Sequence, residues 1–316
     1  MSVGELVVRA RAGDPRAVAR LISLVENASP LLREVMAALM PYAGGAHVLG
    51  LTGAPGVGKS TTTSALVSAY RARDLRVGVL AVDPSSPFSG GALLGDRVRM
   101  QEHANDPGVY IRSMASRGHL GGLSWSTPQA VRVLDAAGCD VVLVETVGVG
   151  QAEVEVASLA DSTLVLVAPG MGDSIQAAKA GILEIADVFV VNKADREGAD
   201  AAARDLRRML SLGEKRTPES WQPPVVKTVA ARGEGIDEVV AALDEHRQWL
   251  TASGALDAKR RIRAADEVEV IAVSTLRERI GDLRGGSLLD ELAGRVVAGE
   301  LDPYTAADQL VSGVTR

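Results

Sequence analysis

The chain has 316 residues, 47% of them hydrophobic, and a formal net charge of −6. That length accommodates one sizeable α/β domain with smaller additions, and that apolar fraction excludes wholesale disorder. An acidic balance without a long basic run argues against nucleic acid as the main ligand, and Cys139 as the only cysteine excludes an internal disulfide or a cysteine-cluster metal site. No segment approaches the roughly eighteen uninterrupted apolar residues that span a bilayer, and the amino terminus lacks the continuous apolar core of a secretory signal. A cytoplasmic protein with no membrane partner is expected.

Residues 1–44 read as three helical stretches, Gly4 to Ala12, Pro15 to Glu26 and Pro30 to Met40, with Asp14 and Ser29 as caps. Gly44-Gly45 closes this N-terminal extension. Across 45–250, strand patterns near 47–52, 76–82, 108–113, 140–145, 162–168, 187–192 and 224–229 alternate with helical ones. Such alternation predicts the α/β class, a mainly parallel sheet with helices on both faces and ligands at the carboxyl ends of its strands. Over 251–316 only helical patterns remain: Ala258 to Ile280, Leu288 to Ala298, and a stretch from Tyr304. Ile262, Val268, Ile271, Val273, Leu276 and Ile280 form an interrupted apolar set on the first of these. A tail too small for a core of its own needs something to cover that face, either its own domain or, the favoured reading, a partner.

Three strand ends carry chemistry. Gly53-Ala54-Pro55-Gly56-Val57-Gly58-Lys59-Ser60 follows the strand from His47 to Thr52 and opens a helix, the context of a phosphate loop. Its glycines let backbone N–H groups curl around terminal phosphates, Lys59 supplies a point charge to the β- and γ-phosphates, and the Ser60 hydroxyl suits Mg²⁺. Val188 to Val191 runs into Asn192-Lys193-Ala194-Asp195. There the Asp195 carboxylate accepts two hydrogen bonds from the ring N–H and exocyclic amine of guanine, an edge that adenine reverses. Lys193 is expected to lay its stem over the base, and Asn192 to tie this loop back to the phosphate loop. Asp140-Val141-Val142-Leu143-Val144 ends in Glu145-Thr146-Val147-Gly148, which puts a carboxylate at a strand end and a Gly148 N–H where it can meet the γ-phosphate. Val77 to Val82 ends in a second acid, Asp83, which taken alone also reads as a turn residue. Two strand-end acids suit a hard cation that keeps most of its waters.

Hydrolysis of a phosphoanhydride needs positioning and charge neutralisation more than covalent chemistry. Val149 stands directly after Gly148, and an apolar side chain cannot orient an attacking water. Slow basal turnover accelerated by a partner is therefore expected, with Gln151, Gln176, Lys179 and Arg117 as candidate assistants.

Gly53 to Thr61, Val82-Asp83-Pro84-Ser85-Ser86, Leu94-Gly95-Asp96-Arg97, Ser116 to Gly122, Glu145 to Gln151 and Asn192 to Asp195, in this order, resemble the MeaB/ArgK family of P-loop GTPases over about residues 10–300. The resemblance implies a homodimeric GTPase that uses GTP/GDP and Mg²⁺ and acts as chaperone to an adenosylcobalamin-dependent acyl-CoA mutase, chiefly methylmalonyl-CoA mutase. On matched positions it implies Gly53, Ala54, Gly56, Val57, Gly58, Lys59, Ser60 and Thr61 around the phosphates. Ser60, Asp83, Asp96 and Glu145 then surround the metal, and Asn192, Lys193, Asp195, Val229 and Ala230 the base, with Lys59, Glu145 and Gly148 serving hydrolysis. Thr228-Val229-Ala230 departs from a family loop that usually reads more like Ser-Ala. Gly170 to Lys179 matches a switch that relays nucleotide state to the mutase, and the tail after residue 250 is implied to make the dimer. Some members carry the label of an ATP-using kinase or ATPase of a lysine/arginine/ornithine transport system, a reading the Asn-Lys-x-Asp run disfavours. A nickel metallochaperone shares the architecture but calls for a histidine-rich segment or a Cys-His pair, which four scattered histidines and one cysteine do not provide.

Overall fold

Short Val- and Leu-rich runs bounded by glycine and acidic residues are too brief for helices and become strands, the central ones buried on both faces. A computed structural model describes residues 1–83, 100–115, 126–146, 151–170, 182–212, 220–280 and 287–314. Its strands are β1 (His47–Gly53), β2 (Val77–Asp83), β3 (Val109–Ala115), β4 (Val141–Thr146), β5 (Ser162–Val167), β6 (Val188–Val191) and β7 (Val225–Lys227). They form one parallel sheet in the order β3-β2-β4-β1-β5-β6-β7. Seven strands were expected at these places, the last reaching residue 229. It stops at Lys227 because the chain then bends into the short helical turn Ala230–Arg232.

The helices are α1 (Val3–Arg11), α2 (Pro15–Glu26), α3 (Leu32–Leu39), α4 (Lys59–Ala72), α5 (Thr127–Ala136), α6 (Gln151–Leu159), α7 (Ile182–Ile185), α8 (Ala199–Leu212), α9 (Ile236–Ala252), α10 (Ala255–Ile280), α11 (Ser287–Val297) and α12 (Pro303–Val314). Alternate residues of a strand point to opposite faces, and the cores divide accordingly. Val142 and Val144 of β4 enter a cluster with α1, α2, α3, α5 and α6, whereas Val141 and Leu143 enter one with α4 and α9. A third cluster joins Val165, Phe189 and Val191 to α8.

The chain divides into two compact units, Met1–Asp257 and Ala258–Arg316. In the first, Leu21, Val25 and Val35 of the N-terminal helices are fully buried in the same cluster as β4. An ion pair between Arg112 of β3 and Glu26 of α2 adds a polar tie. The Asp135 carboxylate accepts the N–H groups of Gly44, Gly45 and Ala46, which fixes the entry into β1. Asp14 caps α2 by accepting from Arg16 N at 2.9 Å. Ser29 does not cap α3, which begins at Leu32; its hydroxyl accepts from Leu31 N at 3.3 Å within the preceding turn, where Ala28 reverses the chain at φ +46°. Cys139 is buried, and burial pushes its thiol up to about 12.

At the amino ends of the strands, the Ser162 hydroxyl lies 2.8 Å from both His47 Nε2 and His246 Nδ1. One hydroxyl hydrogen means that at least one of the two ring nitrogens donates to Ser162 Oγ. His246 Nε2 is 3.3 Å from Asp187 Oδ1, so this buried chain binds β1, β5 and α9 together at the end of the sheet opposite the strand-end motifs.

In the second unit, α11 and α12 pack together and bury Leu292 and Ala306. Along α10, Ile262, Val268, Val270, Ile271 and Leu276 are exposed. No helix among the described residues is long and apolar enough to cross a membrane.

Candidate functional site

β1 delivers the chain to Gly53, where φ is +142° and a Cβ would collide with the Leu166 carbonyl oxygen of β5. Gly58, the residue before α4, has φ +99°, and a Cβ there would collide with the Asn192 amide. Both positions demand glycine for conformation and for space. Between them the loop runs into the amino terminus of α4, the end of a helix whose dipole favours an anion. Lys59 is buried, and its Nζ donates to the carbonyls of Gly53 at 2.8 Å and Ala54 at 3.1 Å. The ammonium thus lies across the loop it closes.

Glu145 comes from β4, the direct neighbour of β1, with Leu51 opposite Glu145 in register. Its carboxylate is only 3% exposed, a placement that costs several kcal/mol unless hydrogen bonds replace water. Two helix hydroxyls do so: Ser60 Oγ donates to Oε1 at 2.6 Å and Thr63 Oγ1 to Oε2 at 2.8 Å. On the other flank, Val82 of β2 pairs with Thr146, so Asp83 leaves the sheet at the same end as Glu145. Among the described residues no three His, Cys, Asp or Glu side chains converge as a metal cluster. Ser60 and Glu145 supply hard oxygens at the mouth of the loop. That donor set fits Mg²⁺, which takes few protein ligands and completes its shell with water and phosphate oxygens.

The base end is built on Asn192. Its Nδ2 donates to the Val57 carbonyl at 2.8 Å, while its Oδ1 accepts from the Thr228 hydroxyl at 3.1 Å and from Ala230 N at 3.1 Å. One buried amide thus fastens the phosphate loop to the turn after β7, as expected of Asn192. Lys193 has φ +58° and its Nζ donates to the Gly56 carbonyl at 2.6 Å, so its stem spans the same gap. Asp195 lies beyond, its side chain 43% exposed and 3.9 Å from Arg232. Val229 and Ala230 are buried beneath this edge. A cavity of about 630 Å³ runs from Thr61 and Ala230 along α4, past Ser64, Ser68, Glu102 and Asp237.

The fold therefore brings Gly53, Ala54, Gly56, Val57, Gly58, Lys59, Ser60, Thr61, Glu145, Asn192, Lys193, Asp195, Val229 and Ala230 to the carboxyl edge of one sheet. Asp96, Gly148, Val149, Arg117, Gln176 and Lys179 lie outside the described residues, as do the side chains of Asp83 and Gln151. One contributor could not be read from the chain: Thr63 was signalled only by hydroxyl residues running through Thr61-Thr62-Thr63-Ser64 where a buried helix calls for apolar ones.

The family model described as methylmalonyl-CoA mutase-associated GTPase MeaB matches residues 18–283. A protein of Pyrococcus abyssi that carries a GTPase name is 48% identical over 99% of this chain and 97% of its own length. The Escherichia coli protein named GTPase ArgK is 39% identical over 89% of this chain and 86% of its own. A crystal structure titled as an LAO/AO transport system kinase superposes with a TM-score of 0.74 at 30% identity, covering 99% of this chain and 98% of that one. Matched through most of its length by the family model and over 99% of it by the Pyrococcus abyssi relative, the chain belongs to the MeaB family of methylmalonyl-CoA mutase-associated GTPases.

Proposed function

We propose that this protein binds and hydrolyses GTP and serves as chaperone to an adenosylcobalamin-dependent acyl-CoA mutase of the methylmalonyl-CoA mutase kind, gating the loading and protection of its cofactor. The observation that carries the nucleotide part is Asn192, whose single amide fastens the phosphate loop to the base edge so that a nucleotide meets both at a set spacing. The mutase part is supported by the description of the family.

In this reading the loop from Gly53 to Gly58 wraps the phosphates, with Thr61 continuing the wall on the first turn of α4. Lys59 exchanges its carbonyl partners for phosphate oxygens, and its charge offsets what develops on them during transfer. Ser60 holds Mg²⁺ together with Glu145, Asp83 and Asp96. When bound, that ion neutralises the β- and γ-phosphate oxygens. The Gly148 N–H meets the γ-phosphate. Asp195 reads the guanine edge, Lys193 covers the ring, and Val229 and Ala230 line its far side. Val149 beside Gly148 leaves the attacking water without an orienting side chain, so the isolated protein turns over slowly and the mutase accelerates it.

The parts divide as an N-terminal helical extension over 1–44, a GTPase domain over 45–250 and a helical dimerisation arm over 251–316. The exposed apolar positions of α10 support a homodimer built on that arm. Coupling follows from differential affinity: a mutase that prefers one nucleotide state is released or engaged as hydrolysis proceeds. Nucleic acid and membrane have no part in it, and the location is cytoplasmic.

Calorimetry with GTP and ATP in Mg²⁺, followed by single-turnover hydrolysis with and without methylmalonyl-CoA mutase, tests the proposal. Preference for GTP by roughly a hundredfold and mutase-stimulated turnover are expected. Equal binding of ATP, with phosphate passed to a small-molecule or protein acceptor instead of water, would establish the second reading, the kinase or ATPase of a lysine/arginine/ornithine transport system named by the superposed crystal structure.

A further inference from the structure

Thr63 lies one turn beyond Lys59 on α4 and is fully buried. Its Oγ1 is 2.8 Å from Glu145 Oε2 and 3.1 Å from the Lys59 carbonyl. A hydroxyl has one hydrogen, and the shorter, charge-assisted contact takes it. Ser60 holds the other carboxylate oxygen at 2.6 Å. Residues three apart on a helix share a face, so α4 presents two hydroxyls to the two oxygens of one carboxylate.

We propose that Thr63 is a positioning residue for Glu145: it holds Oε2 and so sets the rotation at which Oε1 faces Ser60 and the mouth of the phosphate loop. The inference rests on the assignment of Ser60 and Glu145 to Mg²⁺. Without the Thr63 hydroxyl, the carboxylate loses the bond that fixes Oε2 beside α4, and its rotation relaxes. Thr62, the adjacent residue, supplies the internal contrast. It is equally buried, but its hydroxyl donates to the Gly58 carbonyl at 3.0 Å, a local helix bond that reaches no carboxylate.

The test measures release of a fluorescent N-methylanthraniloyl-GDP over a Mg²⁺ titration, with thermal melting alongside. Thr63→Val should raise the Mg²⁺ concentration for half-maximal slowing of release by roughly five- to tenfold, while release in EDTA stays unchanged. Thr63→Ser, which restores the hydroxyl, and Thr62→Val should stay within about twofold of wild type on the same scale. Thr63→Ala takes the same reading if the valine variant does not fold. A Thr63→Val titration that matches wild type, beside one clearly shifted by Glu145→Gln, overturns the inference alone. Release that ignores Mg²⁺ in wild type and in Glu145→Gln alike overturns the metal assignment and this inference with it.

Discussion

The two ends of the site are built in opposite ways. At the phosphate end Lys59, Ser60, Thr63 and Glu145 are buried and hydrogen-bonded, Lys59 to loop carbonyls and Ser60 and Thr63 to Glu145. At the base end the group assigned to recognition, Asp195, is exposed, with Arg232 3.9 Å away. Phosphate recognition needs amides and charges held in place before the ligand arrives, and close packing holds them. A carboxylate that must pair with a ring edge has to stay accessible, so its selectivity comes from hydrogen-bond pattern instead of packing. Changes at the first end should therefore damage fold and binding together, and changes at the second should alter binding alone.

The sharpest way to break this contrast is Gly58→Ala, which adds strain at φ +99° and forces the Asn192 amide away. GTP affinity should fall roughly a hundredfold or more, with a lower melting temperature, read by calorimetry and thermal unfolding. Asn192→Ala removes the bridge between the two ends and leaves the Val57 carbonyl and Ala230 N–H without it; stability should drop by about 2 kcal/mol in urea unfolding, with weaker GTP binding. Asp195→Asn should cost roughly tenfold to a hundredfold in GTP affinity and move preference toward xanthine nucleotides, with melting unchanged. Loss of thermal stability in that variant would contradict the distinction between the ends. The smallest effect belongs to Arg232→Ala: an exposed pair at 3.9 Å contributes little, and GTP affinity should stay within about twofold of wild type.

Much of this was legible along the chain. Each of the seven strands announced itself by an apolar run with turn residues at its ends, and the phosphate loop by glycines between a strand and a helix. Ser29 misled because a serine before a helical stretch reads as a cap, whereas the tight turn after α2 consumed its hydroxyl two residues early. Thr63 was illegible because a threonine inside a helix says nothing by itself; its meaning is a carboxylate on another strand. The two helical extensions offer a similar lesson. Both read as helical, yet Leu21, Val25 and Val35 are fully buried while Ile262, Val268 and Ile271 of α10 are exposed.

By itself the sequence determined the α/β class and the carboxyl-end placement of the motifs, because each depends on residues contiguous in the chain. Only the tertiary structure decided that Glu145 meets Ser60 and Thr63, and that Asn192, besides reaching the phosphate loop, meets Ala230. Those meetings follow from the order of strands in the sheet, which sets β4 against β1 and brings the end of β6 over the phosphate loop. Long-range burial and the crossovers between strands, not any local propensity, establish that order.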